Sequence, residues 1–107
     1  MLLAMGVMLM ACTAAKTELP LPFEVNSKIT TAEGQRAAFI DTLETGTRDM
    51  PGNIAYTITK DADDAAVLWV AEVWEDEAAH KASLSLPSVQ AAIAKGRPMI
   101  RGMERLD

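Results

Sequence analysis

Two side chains from which metal and redox sites are commonly built are almost missing from this chain. It has one cysteine, Cys12, and one histidine, His80. A disulfide within the chain and a zinc site made of several cysteines or histidines are therefore excluded. The acidic residues do not form the ligand-spaced loop of a calcium site either. We expect neither a metal nor a cofactor.

Positive charge is also in short supply. The chain carries ten lysine and arginine residues against fifteen aspartate and glutamate residues, a formal net charge of -5. The basic residues are scattered, whereas binding to nucleic acid requires a positive stripe, so we expect no nucleic-acid partner. Half of the 107 residues are hydrophobic, which excludes extensive disorder and predicts one small domain.

The first eleven residues form an uninterrupted apolar run, MLLAMGVMLMA. This run is too short to span a bilayer as a helix, but its length suits the core of a signal peptide. With Cys12, its last residues resemble the lipobox at which bacterial lipoproteins are cleaved and lipidated, and Thr13 to Pro22 would then form a tether. No lysine or arginine precedes the run, so a start-site artefact is the alternative interpretation.

The leader therefore sets both the domain boundary and the expected location. We predict a leader and tether over residues 1–22 and one folded domain over residues 23–107. A functional leader would export the protein or anchor it in a bacterial envelope through a lipid on Cys12, which is the only membrane contact that we expect. Without a functional leader, we expect a cytoplasmic protein.

From residue 23 onward, strand and helix patterns alternate. Apolar residues at every second position predict strands, and helical spacing predicts a helix around Phe39. Thr30 and Glu33 have the spacing of a capping box at the start of that helix. Pro87 interrupts the second helix, because proline suits the first turn of a new helical segment. The predicted order is β-α-β-β-α-β, with strands near Phe23–Ile29, Ile54–Ile58, Val67–Trp74 and Pro98–Leu106.

This order predicts an α+β protein with the ferredoxin-like fold, in which helices cover one face of an antiparallel four-stranded sheet. The third strand is largely apolar on both sides, because Val67, Trp69, Ala71 and Val73 alternate with Leu68, Val70, Glu72 and Trp74. The sheet face without helices then needs a cover, so we predict a homodimer in which two sheets form an α+β barrel. A monomer that binds a ligand on that face is the alternative.

Several segments resemble the antibiotic biosynthesis monooxygenase domain family. They are VAEVWEDEAAHKASLSLPSVQAA, Met50-Pro51-Gly52 before the second strand, and Gly96-Arg97-Pro98 near the end. The resemblance covers about Phe23 to Asp107. Because the family includes cofactor-independent quinol and polyketide monooxygenases, the resemblance implies a dimeric barrel that oxidises a quinol- or anthrone-like aromatic with dioxygen. The same scaffold also hosts other reactions and members without a known reaction.

The family's active-site residues are only partly present. Trp74 matches the strand-end tryptophan of the polyketide-oxidising members, His80 stands where they carry an aromatic hydroxyl, and Val70 replaces their asparagine. Quinol-oxidising members often carry a histidine at the position of Ser83. The asparagine, tryptophan and histidine of the haem-degrading members fall at Ser27, Ser83 and Ile93. The resemblance therefore disfavours haem degradation.

Oxygenation of this kind needs a base, a dry pocket and groups that orient a planar small aromatic molecule. We predict His80 as the catalytic base, because imidazole titrates near neutral pH, and Trp74 as its catalytic partner. Tyr56, Trp69 and Ser83 are predicted to bind the substrate by stacking or hydrogen bonding. Each residue also has a structural interpretation: a surface histidine, core tryptophans, a tyrosine at the sheet edge and a serine at a helix end.

Two functions without catalysis stay open. The same dimeric barrel would bind an apolar small molecule, or it would serve as a structural module with a filled interior. The pair of His80 and Trp74 favours the enzyme, whereas Val70 in place of an asparagine favours the alternatives.

Overall fold

The computed structural model describes residues 21–106. Cys12, the apolar run and most of the predicted tether lie outside the described residues. The described part consists of β1 (Phe23–Thr31), α1 (Arg36–Gly46), β2 (Asn53–Lys60), β3 (Val67–Trp74), α2 (Glu77–Ser83), α3 (Pro87–Gly96), a 3-10 turn (Arg97–Met99) and β4 (Ile100–Leu106). The predicted order and the break in the second helix are confirmed. The last strand starts two residues later than predicted, because Pro98 lies in the 3-10 turn.

The four strands form one antiparallel sheet in the order β2-β3-β1-β4. In this register Ser27 on β1 lies opposite Val70 on β3 and opposite Arg105 on β4. On the other side of β3, Tyr56 on β2 lies opposite Glu72. This is the predicted α+β ferredoxin-like arrangement, with the two central strands β3 and β1 between the edge strands.

The two faces of the sheet differ in polarity. The inner face packs against α1 and is apolar along the central strands, where Ile29, Leu68 and Val70 form a buried cluster with Phe39. The outer face carries polar side chains along β1. Along β3 it carries apolar side chains, including the half-buried Trp69. The predicted apolar character of both sides of β3 is therefore present, and Glu72 is the exception on the inner side.

Two groups of buried side chains fill the space between the sheet and the helices. One comprises Val25, Met50, Trp74 and Val89, and the other comprises Ile29, Phe39, Leu68 and Val70. Tyr56 packs against both groups. Strand β3 contributes to both groups as well, so its inner side lines the whole length of the core.

Helix α2 begins with a side-chain cap. The Asp76 carboxylate accepts a hydrogen bond of 2.8 Å from the backbone N–H of Ala79, which satisfies one of the free donors at the helix start. The cap fixes the position of His80 one residue further on. Ser83 ends α2 and Pro87 begins α3. Within residues 21–106, no helix is long and apolar enough to cross a membrane.

The capping box predicted at Thr30 and Glu33 is wrong. Strand β1 continues through Thr31, and α1 begins at Arg36 without a side-chain cap. The hydroxyl and the backbone N–H of Thr31 both donate to the carbonyl oxygen of Ala66, at 2.9 and 2.8 Å. Because β1 extends through Thr31, the hydroxyl and the N–H of this residue pair with the segment before β3. Buried backbone groups need such partners. Thr30 and Thr31 therefore belong to the sheet and do not cap a helix.

Candidate functional site

A cavity of about 410 Å³ lies between the inner face of the sheet and the helices. All four strands and all three α-helices of the described chain contribute to its wall, which is mostly aliphatic and aromatic. The polar side chains that line it include Tyr56, Glu72, His80 and Ser83, and two arginines, Arg97 and Arg105. An apolar cavity with a small number of converging polar groups is the usual form of a small-molecule site.

Trp74 lies at the end of β3, belongs to the hydrophobic core and also lines the cavity. Its side chain is fully buried and packs with Val25, Met50 and Val89. The indole N–H donates a hydrogen bond of 2.9 Å to the Oε1 atom of Glu72. Since a buried indole N–H requires an acceptor, the hydrogen bond satisfies Trp74 and holds the carboxylate of Glu72 in one place.

Glu72 places a carboxylate on the inner face, within the apolar wall. Burial raises the pKa of this carboxyl group above its ordinary value of 4.5, because burial disfavours the charged form. The hydrogen bond from Trp74 and the charges of His80 and Arg105 oppose this effect on the pKa. Glu72 is therefore a half-buried acid whose proton affinity is greater than that of a surface glutamate.

His80 lies on α2 with its ring against the aromatic side chains of Trp74 and Phe23, of which Trp74 lines the cavity. The ring centroid is 5.5 Å from that of Trp74 in an edge-on arrangement and 5.7 Å from that of Phe23. The side chain is half-buried and lines the cavity. Its environment is thus the cavity wall and not the open surface. The structure brings the rings of His80 and Trp74 into contact, and their predicted catalytic roles stay predictions.

Tyr56 and Ser83 also face the cavity. Burial, together with the charge of Glu72, raises the pKa of Tyr56, so its hydroxyl stays protonated and available as a donor. The hydroxyl of Ser83 donates to the backbone oxygen of His80 at 2.6 Å. Ser83 therefore has only acceptor capacity left for a ligand, and the predicted binding roles of both residues stay predictions.

Trp69 is not brought together with the other predicted site residues. It lies on the outer face of β3, where its indole N–H donates to Oδ1 of Asp61 at 3.1 Å and the amino group of Lys28 lies 5.6 Å from the ring centroid. Strand residues five positions apart point to opposite faces, so Trp69 cannot share a wall of this cavity with Trp74.

A family model of antibiotic biosynthesis monooxygenases matches residues 22–95, from the start of β1 into α3. The chain belongs to the antibiotic biosynthesis monooxygenase family. This membership confirms the family resemblance of the segment that begins at Val70 in β3 and runs into α3. No protein of curated function matches the chain.

Solved structures share the fold of this family member. A candidate antibiotic biosynthesis monooxygenase from Chloroflexus aurantiacus is 40% identical, with a TM-score of 0.75 over 80% of this chain and 91% of that chain. Candidate monooxygenases of the same kind from Bacteroides thetaiotaomicron and Nitrosomonas europaea are 18% and 12% identical, each with a TM-score of 0.74. They cover 80% and 79% of this chain and 86% of their own chains. At this identity their likeness shows the fold alone.

Sequence reasoning missed Glu72 in this monooxygenase-family chain. The signal was present, because Glu72 occupies the inner position of a strand whose other inner residues are Leu68, Val70 and Trp74. A carboxylate rarely occupies such a position without a function or a partner. Within residues 21–106, no group of three or more His, Cys, Asp or Glu side chains is arranged to hold a metal ion, so Glu72 is not part of such a group.

The raised pKa of Glu72 predicts a pH-dependent gain in stability for Glu72→Gln. The folded protein binds the proton of Glu72 more readily than the unfolded chain does, so this group's contribution to stability is greatest at low pH. The contribution of Glu72 to stability falls as the pH rises from about 4.5 toward the higher pKa of the folded state. Glutamine does not titrate and can still accept from Trp74. The stability of the variant relative to the wild type should therefore increase over this pH range and then stay constant.

Urea denaturation of both proteins at a series of pH values measures this difference. Glu44→Gln, at an exposed position on α1, is the matched control, and its stability relative to wild type should change less with pH. A difference between Glu72→Gln and wild type that does not depend on pH would contradict the assignment of a destabilising, half-buried charge.

Proposed function

We propose that this protein is a cofactor-independent monooxygenase that oxidises a quinol- or anthrone-like aromatic with dioxygen. The observation that supports it most is the placement of an imidazole and a carboxylate, His80 and Glu72, on the wall of a mostly apolar cavity. Family membership supports the reaction class. The choice of substrate rests on the chemistry of the wall.

The cavity suits a planar aromatic of two or three rings. Its volume of about 410 Å³ lies within the range of about 300 to 1,000 Å³ that is typical of small-molecule sites. The aliphatic and aromatic wall favours the ring system, and the hydroxyl of Tyr56 is a donor for a substrate oxygen. A strongly polar substrate would lose hydration in this cavity without enough compensating hydrogen bonds.

The residues supply what oxygenation without a metal or flavin requires of a protein. His80 accepts a proton from the substrate, and the resulting electron-rich anion transfers an electron to dioxygen. The apolar wall excludes water, which preserves the anion until dioxygen reacts. Trp74 supports His80 through the contact between their rings and excludes solvent from that side. Substrate, dioxygen and two protein groups are then sufficient for the first step.

We also propose a homodimer in which the outer faces of two sheets pack together. Trp69 and Val73 on β3 are only half-buried in the single chain, and Ala71 lies exposed between them. A stripe of this kind along the centre of a sheet is typical of a surface that a second subunit covers. A closed dimer with two-fold symmetry would bring the same stripe of each subunit together.

The proposed reaction predicts oxygen uptake that depends on His80. Metal-depleted protein should consume oxygen with a quinol or anthrone in a saturable manner and above the rate of autoxidation. His80→Ala should lower kcat by about 10²-fold or more, because the proton acceptor is lost. An oxygen electrode measures both rates.

The matched control for this variant is Lys81→Ala, because Lys81 is the neighbouring, exposed residue on α2 and pairs only loosely with Glu77 at 4.0 Å. Its kcat should equal that of the wild type. If no quinol or anthrone in a broad panel were consumed above autoxidation, the monooxygenase proposal would fail and a binding or structural dimer would replace it.

The proposed dimer predicts that a charge at Ala71 dissociates the subunits. Ala71→Glu would place two like charges near the two-fold axis, where they repel and lose hydration. Sedimentation velocity should give a dimer for wild type and a monomer for the variant. Ala91→Glu, at an exposed position on α3, is the control and should stay dimeric. A monomeric wild type at micromolar concentration would refute this interface.

A further inference from the structure

The proposed oxygenation moves two protons, and His80 accounts for only one of them. Loss of the first proton forms the anion that reacts with dioxygen, and a carbon–oxygen bond then forms at a ring carbon that still carries one hydrogen. The intermediate is a carbon-bound hydroperoxide once the imidazolium of His80 returns its proton to the outer oxygen. Conversion of this intermediate to a carbonyl and water needs a base placed at the ring carbon, because the remaining carbon–hydrogen bond must break.

The cavity holds one further group of the required kind. Among the described residues that line it, Glu72 is the only carboxylate. Glu72 lies on the inner side of β3, opposite Tyr56 on β2, and it is close enough to His80 on α2 and Arg105 on β4 for their charges to act on it. The titratable groups facing Glu72 therefore come from three different elements.

We infer that Glu72 is the second catalytic base and removes the hydrogen from the ring carbon that carries the hydroperoxide. This inference rests on the proposed monooxygenase function. As the carbon–hydrogen bond breaks, its electron pair forms the carbonyl bond, the oxygen–oxygen bond breaks, and hydroxide leaves. Glu72 then gives its proton to the hydroxide to form water. One atom of dioxygen ends in the product and the other in water, and the substrate supplies all four electrons.

The surroundings of Glu72 suit this role in two ways. The contact of 2.9 Å between the indole N–H and Oε1 fixes the carboxylate on the wall, so the base is held in position before the substrate enters. The apolar surroundings also favour the protonated form that Glu72 takes after it has removed the hydrogen. A surface glutamate would be a weaker base for this step because water stabilises its charged form.

The test is the turnover of a dihydroxynaphthalene that carries deuterium at the ring carbon that is oxidised. In this substrate the first proton leaves from oxygen, so only the second step breaks a bond to deuterium. Glu72→Gln should lower kcat by about 10²-fold or more, while KM should change little. Its kcat should also show a larger isotope effect than that of the wild type, because breaking the carbon–hydrogen bond becomes rate-limiting.

Two further variants separate catalysis from structure. Glu72→Asp keeps a carboxylate and should recover part of the lost kcat, whereas Glu44→Gln, at an exposed position on α1, should behave as wild type. The inference is overturned if Glu72→Gln turns over as fast as wild type with an unchanged isotope effect. A wild-type protein that consumes no oxygen with this substrate or with the rest of the panel would instead refute the proposed function, and the inference about Glu72 would fall with it.

Discussion

The contact between Trp74 and Glu72 is the interaction on which the core and the cavity both depend. The indole fills the space between Val25, Met50 and Val89, and its N–H needs an acceptor inside the protein. The alternation of β3 places Glu72 on the same side two residues earlier, where its Oε1 atom accepts that hydrogen bond at 2.9 Å. One strand thus builds the hydrophobic core and also fixes the only carboxylate in the described part of the cavity wall.

This arrangement carries a cost in stability. A carboxylate removed from water is less stable in its charged form, which is why burial raises the pKa of Glu72. A glutamine at this position would still accept the hydrogen bond from Trp74, without the cost of a charge. Proteins often keep such a destabilising group where catalysis or binding uses it. The cost is therefore a physical reason to assign Glu72 to the site and not to the framework.

Much of the fold follows from local patterns, whereas the site depends on contacts between distant residues. Alternation predicts the strands, and Pro87 predicts the break between α2 and α3. The same alternation places Trp69 and Trp74 on opposite faces of β3. The prediction that both residues contact one substrate did not take this into account. The capping box at Thr30 failed because the neighbouring Thr31 extends the pairing of β1, a contact between residues 35 positions apart. The partners of Glu72 on β2, α2 and β4 likewise become visible only after the chain has folded.

The most direct test of this account uses the two tryptophans of the chain. In ¹⁵N-labelled protein each indole N–H gives one NMR signal, and a Trp69→Phe variant assigns the pair. We predict that anaerobic titration with a dihydroxynaphthalene shifts the Trp74 signal in a saturable manner, while the Trp69 signal changes little. Such a result would place the aromatic ligand in the cavity beside the hydrogen bond to Glu72. A shift of the Trp69 signal alone, or of neither signal, would contradict a functional site between the sheet and the helices.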